Sequence, residues 1–344
     1  MAKKSIMAIP YVCVIIINYN SGDCLSRCLS ALESQTYNDF EVIVVDNNST
    51  DNSIKALKNL PSYFKIIKNK NNIGFASANN LAVQKSQASW IALLNPDAFP
   101  EPEWLGKLVF ASNKHPEIRS FASVLLNDSD DKRLDGAGDV YHLSGLAWRG
   151  GHGRHVNEIT VGGEVFSACA AAALYNRDLF NLIGGFDERY FCYLEDVDLG
   201  FRMRLRGEIC FLVPDAIVRH IGSMITGRHS KFTIYHSIRN LIWTFIKNIP
   251  GPLLPFLIPL HALAIILLIL MAIRKNAGRE AIRALVDSLR SMPDIWHSRR
   301  LIQEKRTLSW WQVLRFLNWK PFAPMFRSID VISTTSNKNF FKTK

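Results

Sequence analysis

Residues 11–23 read YVCVIIINYNSGD and residues 40–51 read FEVIVVDNNSTD, and these two stretches decide the fold class. Each opens on an apolar, mostly β-branched run and gives way to polar residues. A half-exposed strand alternates apolar and polar residues, whereas an unbroken Val/Ile run suits a strand buried on both faces. CLSRCLSALESQ (24–35) lies between them with helical spacing, so the chain opens as a βαβ unit with parallel strands. A second unit follows in KIIKN (65–69), a loop, the helical ASANNLAVQKS (76–86) and WIALLNPDA (90–98). Asp46 and Asp97 each stand where a strand yields to its loop. Open α/β sheets bind ligands at those C-terminal strand ends.

Residues 127–163, with DGAGD and WRGGHGRHVN, are polar and glycine-rich and read as a long, mobile loop region. Regular structure resumes with FSACAAAALYNRDLF (166–180), and CFLVPDAIVRH (210–220) reads as a last strand. No internal repeat is visible.

The chain has 344 residues, 48% of them hydrophobic, enough for a full core in one large domain or two smaller ones. Its six cysteines (Cys13, Cys24, Cys28, Cys169, Cys192, Cys210) are scattered. No second Cys/His pair completes a zinc-like spacing after Cys24 and Cys28, so they read as reduced thiols of a cytosolic protein. MAKKSIMAIP runs straight into the first strand with no cleavable apolar core, which argues against a signal peptide.

The net charge of +11 is concentrated late: from Arg274 onward there are 15 Lys and Arg against 5 Asp and Glu. Such a tail suits nucleic acid or an anionic membrane surface. LLPFLIPLHALAIILLILMAI (253–273), without a charged side chain, stands just before it and favours the membrane over nucleic acid. A single crossing would put the basic tail opposite the N-terminal domain, against the positive-inside tendency. The expectation is therefore a re-entrant or interfacial segment, with a buried core helix as the alternative. YHSIRNLIWTFIKN (235–248) is amphipathic, and Arg239 and Lys247 are expected to reach headgroups. The expected domains are 1–230 (catalytic), 231–275 (membrane-associated helices) and 276–344 (basic helical tail).

The chemistry-bearing candidates are Asp46, Asp97, His220 and the acids of YLEDVDLGFRMRLRG (193–207). Each has a plainer reading: Asp46 also suits a turn and helix cap, Asp97 a turn, and His220 a satisfied strand end. Glu195, Asp196 and Asp198 lie near a helix start, where the dipole favours them. Asp198 precedes Arg202 by four residues, the spacing of an ion pair on one helix face.

Taken together, VIIINYNSGD through VVDNNSTDNS, NNIGFASANN, LLNPDA, GGFDERYFCYLEDVDLGFRMRLRG and VRH resemble the successive motifs of family 2 inverting glycosyltransferases. Within that family they look most like rhamnosyltransferases that extend bacterial lipid-linked O-antigen or cell-wall intermediates. The resemblance covers residues 10–225. It implies the GT-A nucleotide-diphospho-sugar transferase fold, an α/β Rossmann-like, mostly parallel central sheet, followed by C-terminal membrane-associated helices. It implies transfer of L-rhamnose from dTDP-L-rhamnose to a polyprenyl-diphosphate-linked saccharide at the cytoplasmic face of the bacterial inner membrane. A hexosyltransferase using a UDP-sugar is the alternative, and a non-catalytic sugar-binding protein a more distant one.

By the same resemblance, Asp46 binds the base, with Asn18, Asn20 and Asn47 supplying amides. Gly74 lets the backbone approach the nucleotide, and Phe75 and Ala76 complete that loop. Asp97 and His220 hold Mg²⁺ or Mn²⁺ against the leaving diphosphate. Asp196 is the general base and Glu195 orients the acceptor. Asp198 is structural. Asn95 stands where many members carry a further Asp, and Ala170 where glycine is commoner. A processive synthase is excluded by the missing QxxRW motif, and a dinucleotide oxidoreductase by the missing GxGxxG after the first strand.

Overall fold

The computed structural model describes residues 9–222 and 230–332. The N-terminal residues 1–8 and the end of the basic tail, 333–344, lie outside the described residues, as do 223–229 beside the expected boundary at 230.

The first half carries β1 (Val12–Asn18), α1 (Cys24–Glu33), β2 (Phe40–Asp46), β3 (Phe64–Lys68), α2 (Gly74–Lys85), β4 (Trp90–Leu94), β5 (Ala98–Pro100), α3 (Trp104–Lys114), β6 (Ser120–Asn127), β7 (Asp130–Ala137), β8 (Asp139–Tyr141) and β9 (Ala147–Arg149). Then come β10 (Gly163–Val165), β11 (Ala172–Asn176), α4 (Arg177–Ile183), α5 (Glu195–Leu205), β12 (Cys210–His220), α6 (Lys231–Asn248), α7 (Leu254–Arg274), α8 (Gly278–Arg290), α9 (Met292–Glu304), α10 (Trp310–Leu314) and α11 (Ala323–Phe326).

The central sheet runs β10-β12-β6-β11-β4-β1-β2-β3, with β5 on β12 and β7 on β6. Strands β3, β2, β1 and β4 are parallel, and β11 enters antiparallel between β4 and β6. The continuous apolar runs work as their composition requires. Val12, Val14, Ile16, Val42 and Val44 face one core with Leu25, Leu29 and Leu32 of α1. The alternate residues Cys13, Ile15, Ile17, Ile43 and Val45 face a second core with Ala76, Ala82 and Val83 of α2. Each such side chain contributes ~1.5–3 kcal/mol by leaving water, so both faces hold the register that sets Asn18 opposite Asp46.

Three expectations change. Residues 127–163 are not a loop: they hold β7, β8 and β9, with Asp135 and Asp139 fully buried. Gly138, Gly145, Gly151 and Gly153 have positive φ, and at Gly138, where φ is +69°, a Cβ would stand 2.7 Å from Val165 Cβ. Arg239 and Lys247 do not point to headgroups. Lys247 is 1% exposed and pairs with Asp187 at 2.6 Å and Asp198 at 3.0 Å. Arg239 donates to the carbonyls of Arg189 and Tyr190, each at 3.0 Å. The spacing of apolar residues marks a buried face, but it does not say which polar side chains turn inward with it. Finally, the tail is helical only in part: Asn318 bridges to His142, Ile332 bridges to Glu164, and Trp148 Nε1 donates to Ser328 O at 3.1 Å.

Helix α7 lies along the domain on one face. His261 Nδ1 is 2.8 Å from Ser144 O, and its ring stacks on Phe245 at 4.0 Å. Ala264 is buried, and Ile265 and Ala272 are buried in a cluster with Ile238, Leu241 and Ile242 of α6 and Ala281 and Ala284 of α8. The opposite residues are bare, from Phe256 (79% exposed) to Leu263, Ile266, Leu267, Leu270 and Met271.

Candidate active site

At the ends of β1 and β2 the polar side chains bind one another. Asn18 Nδ2 donates to Asp46 Oδ1 at 2.9 Å, Ser49 Oγ at 3.0 Å and Ser53 Oγ at 2.9 Å. Asn20, at φ 51°, accepts from Thr50 N at 2.8 Å and Asp51 N at 3.3 Å. Asn47 donates to Gly74 O at 3.1 Å and accepts from Asn69 at 2.8 Å. These amides brace the loops that follow β1, β2 and β3. Gly74 has φ +86°, and a Cβ there would stand 2.6 Å from the Phe191 ring. What approaches its backbone is therefore Phe191, whose carbonyl also accepts from Phe75 N at 2.6 Å and Ala76 N at 3.2 Å.

Asp97 follows β4, and the pairing of His220 with Ala98 brings the imidazole beside it. His220 Nε2 lies 3.3 Å from Asp97 Oδ1, while Nδ1 lies 2.7 Å from Asp135 Oδ2. Arg149 pairs with the same Asp135 oxygen and stands 3.3 Å from His220 Nδ1. Burial works to raise Asp97, but the adjoining His220 ring and its charge outweigh it and hold the carboxyl below the usual range. Asp135 is likewise held far down against its burial, by His152, His220 and Arg149. His220 Nε2 is buried without a hydrogen-bond partner. A ring nitrogen without a hydrogen bond, facing a buried carboxylate, would suit a divalent cation. Among the described residues no third His, Cys, Asp or Glu completes a cluster with them.

The third group lies at the head of α5. Asp196 accepts from Ala170 N at 2.9 Å through Oδ2 and from Val197 N at 2.8 Å through Oδ1. It lines a cavity of about 280 Å³ with Glu195, Asp139, Arg149, Asn95, Phe75, Ala170 and Tyr193. Glu195 is 5% exposed and its Oε2 has no hydrogen-bond partner. Burial pushes its carboxyl well above the usual range, and the charge of Asp196 adds to that. Asp139 is pushed up by the same two causes, partly countered by the Ser167 hydroxyl 3.0 Å away.

The structure thus brings Glu195, Asp196 and Phe75 to one cavity, and Asp97 and His220 to one pair. Arg149 joins the two, since it lines the cavity and touches His220. Asn18, Asn20, Asp46, Asn47 and Gly74 form a separate loop cluster and do not line that cavity. Asp135, Asp139 and Arg149 were not found by sequence reasoning. Their one signal is a pair of acids flanking Gly-Ala-Gly, in a segment that otherwise reads as loop. Asp198 is a buried structural hub, with Arg202 at 2.8 Å, Lys247 at 3.0 Å and Asn248 at 2.8 Å.

A largely parallel sheet with acids at its strand ends and at the head of α5 is the GT-A glycosyltransferase fold. Two solved structures share it: GalNAc-T7 with UDP, GalNAc and Mn²⁺ (TM-score 0.57, 16% identity, 70% of this chain and 48% of that one), and a mannosyltransferase from Pyrobaculum calidifontis with GDP-Man and Mn²⁺ (TM-score 0.51, 18% identity, 83% and 76%). The chain belongs to glycosyl transferase family 2, which matches residues 13–184. Its relatives include an N-acetylglucosaminyl-diphospho-decaprenol L-rhamnosyltransferase of Mycobacterium tuberculosis, 27% identical over 242 residues (62% of this chain, 77% of that protein). A PGL/p-HBAD biosynthesis glycosyltransferase of Mycobacterium bovis is 26% identical over 252 residues (71% and 86%).

Proposed function

We propose that this chain is an inverting glycosyltransferase that moves L-rhamnose from dTDP-L-rhamnose to a polyprenyl-diphosphate-linked saccharide. The observation that carries the transferase reading is the position of Asp196. It stands at a cavity wall with both oxygens oriented by backbone N–H groups, beside Glu195 and Asp139, two acids whose carboxyls burial raises. In that setting Asp196 takes the proton of an acceptor hydroxyl as the hydroxyl oxygen attacks C1 of the sugar. The C1–O bond to the diphosphate breaks on the opposite side, which inverts the anomeric centre. A base so placed contributes ~10² to 10⁴ in rate.

Asp97 and His220 would hold Mg²⁺ or Mn²⁺, which when bound neutralises charge developing on the leaving diphosphate. Arg149 brings a fixed positive charge to the same side of the cavity. Glu195, whose Oε2 has no hydrogen-bond partner in the protein, stands where it would bond to an acceptor oxygen. The choice of rhamnose and of a lipid-linked acceptor rests on the motif resemblance and on the mycobacterial relative's name.

The bare face of α7, its last residue Arg274, and Lys275 and Arg279 after it support docking at the cytoplasmic face of the inner membrane. Because its buried face is committed to α6 and α8, α7 lies in the membrane plane in this reading.

The test is transfer, followed by product mass, from a panel of nucleotide sugars to lipid-linked GlcNAc in membranes containing the protein. Transfer from dTDP-rhamnose, abolished in Asp196→Asn with nucleotide binding retained, is expected. Transfer only from a UDP-sugar would replace the donor assignment, and full turnover in Asp196→Asn would remove Asp196 as the base.

A further inference from the structure

The turn that delivers Glu195 and Asp196 is strained. Phe191, Tyr193 and Leu194 have φ of 64°, 71° and 66°, and none is glycine. Bulky residues hold that region of backbone space only where their surroundings impose it. Here the imposition is visible carbonyl by carbonyl. Phe191 O is bound by the N–H groups of Phe75 and Ala76 in α2. The carbonyls of Tyr190, Cys192 and Tyr193 all accept from one amide nitrogen, Asn240 Nδ2 of α6, at 3.1, 3.0 and 2.7 Å. Arg239 adds bonds to Arg189 O and Tyr190 O. Leu194 O then accepts from Asp198 N at 2.9 Å, the first turn of α5.

Asn240 is fully buried, and its orientation is determined by its partners. Its oxygen accepts from Arg239 Nε at 3.0 Å, and a flipped amide would turn that oxygen onto three carbonyls. Two N–H groups serving three acceptors leave no slack in the turn. The α6 helix that carries Asn240 also carries Ile238, Leu241 and Ile242, which pack on α7 and α8.

We propose that Asn240 is a positioning residue for sugar transfer: by binding the carbonyls of Tyr190, Cys192 and Tyr193 it holds the left-handed turn from which Glu195 and Asp196 enter the cavity. Asn240 touches no reacting atom; it acts through the backbone. The consequence for transfer rests on the reading of Asp196 as the base, while the consequence for the turn does not.

The experiment uses the full chain with Asn240→Ala, Asn240→Asp and the double variant Asn240→Ala/Leu194→Gly. Hydrogen exchange followed by mass spectrometry should show faster exchange in peptides spanning 189–198, with the β1–β4 peptides unchanged. With the donor that the wild type accepts from the panel above, Asn240→Ala should lower kcat about ten-fold or more and leave KM for the donor within about two-fold. Asn240→Asp should be worse, since it turns a carboxylate onto three carbonyl oxygens. Leu194→Gly frees the last strained position and should restore part of the lost kcat. Unchanged exchange across 189–198, or unchanged kcat in Asn240→Ala, would overturn the proposal. A rise in exchange everywhere, with kcat and donor binding lost together, would also overturn it, because Asn240 would then be a fold residue only. Asp196→Asn assayed alongside separates the two readings. Turnover retained there refutes the base, whereas the exchange result still decides whether Asn240 holds the turn.

Discussion

His220 Nδ1 stands 2.7 Å from Asp135 Oδ2, a residue 85 positions earlier in the chain. That bond settles which ring nitrogen is left to face Asp97. Truncation to Asp135→Ala frees the imidazole and strands Arg149 without its carboxylate. The expected outcome is a ~10–100-fold loss of Mn²⁺ affinity, read by calorimetry of the ion alone and with a nucleoside diphosphate. Asp135→Asn keeps one acceptor for His220 and should lose less. Equal Mn²⁺ affinity in wild type and Asp135→Ala would remove Asp135 from the site.

Glu195 gives a pH dependence whose sign follows from its environment. Burial and the charge of Asp196 raise its carboxyl in the folded protein. The folded state therefore holds a proton that the unfolded state releases, and stability falls as pH rises through the folded value. Glu195→Gln removes that loss. Its Tm should exceed that of the wild type at alkaline pH, and the difference should close as pH falls toward the ordinary carboxylate range. A constant difference in Tm across that range would show that Glu195 does not titrate with folding.

Asp198 is 0% exposed and lies against the buried cations Arg202 and Lys247. Asp198→Ala leaves both with reduced pairing in a dry environment. The expected destabilisation is ~3–5 kcal/mol, measured by urea unfolding. A loss below about 1 kcal/mol, the range of a surface pair, would contradict the hub described above.

Leu267, at 51% exposure, sits on the bare face of α7. Leu267→Glu should reduce sedimentation with anionic vesicles several-fold and leave Tm unchanged, because the residue gains little from folding. A matching change at Ala264, on the buried face, should instead lower Tm. Vesicle binding unaffected by Leu267→Glu would refute membrane docking through α7.

Much of the architecture was legible because its causes are local. The runs VCVIIIN and FEVIVVD bury every residue on two faces, as unbroken β-branched stretches do. The pair Asp198–Arg202 followed from helical spacing and is found at 2.8 Å. The polar segment 127–163 was read as a loop because glycine and charge usually mark one. Nothing in that stretch alone discloses that Asp135 has His220 as its partner or that Arg149 reaches the same pair. Gly74 was read as a place of close approach, and it is one, but what approaches is Phe191.

By itself the sequence determined the parallel sheet, the strand-end places of Asp46 and Asp97 and the helix that begins at Glu195, since hydrophobic period and turn chemistry act over a few residues. Only the tertiary structure decided that Arg149 links the Asp97–His220 pair to the acid-lined cavity, that Lys247 turns inward to Asp187 and Asp198, and that Asn240 holds the turn before Glu195. Those decisions rest on hydrogen bonds and ion pairs between segments 47 to 71 residues apart. A buried polar group must find its partner wherever the fold brings one, and sequence neighbours do not record where that is.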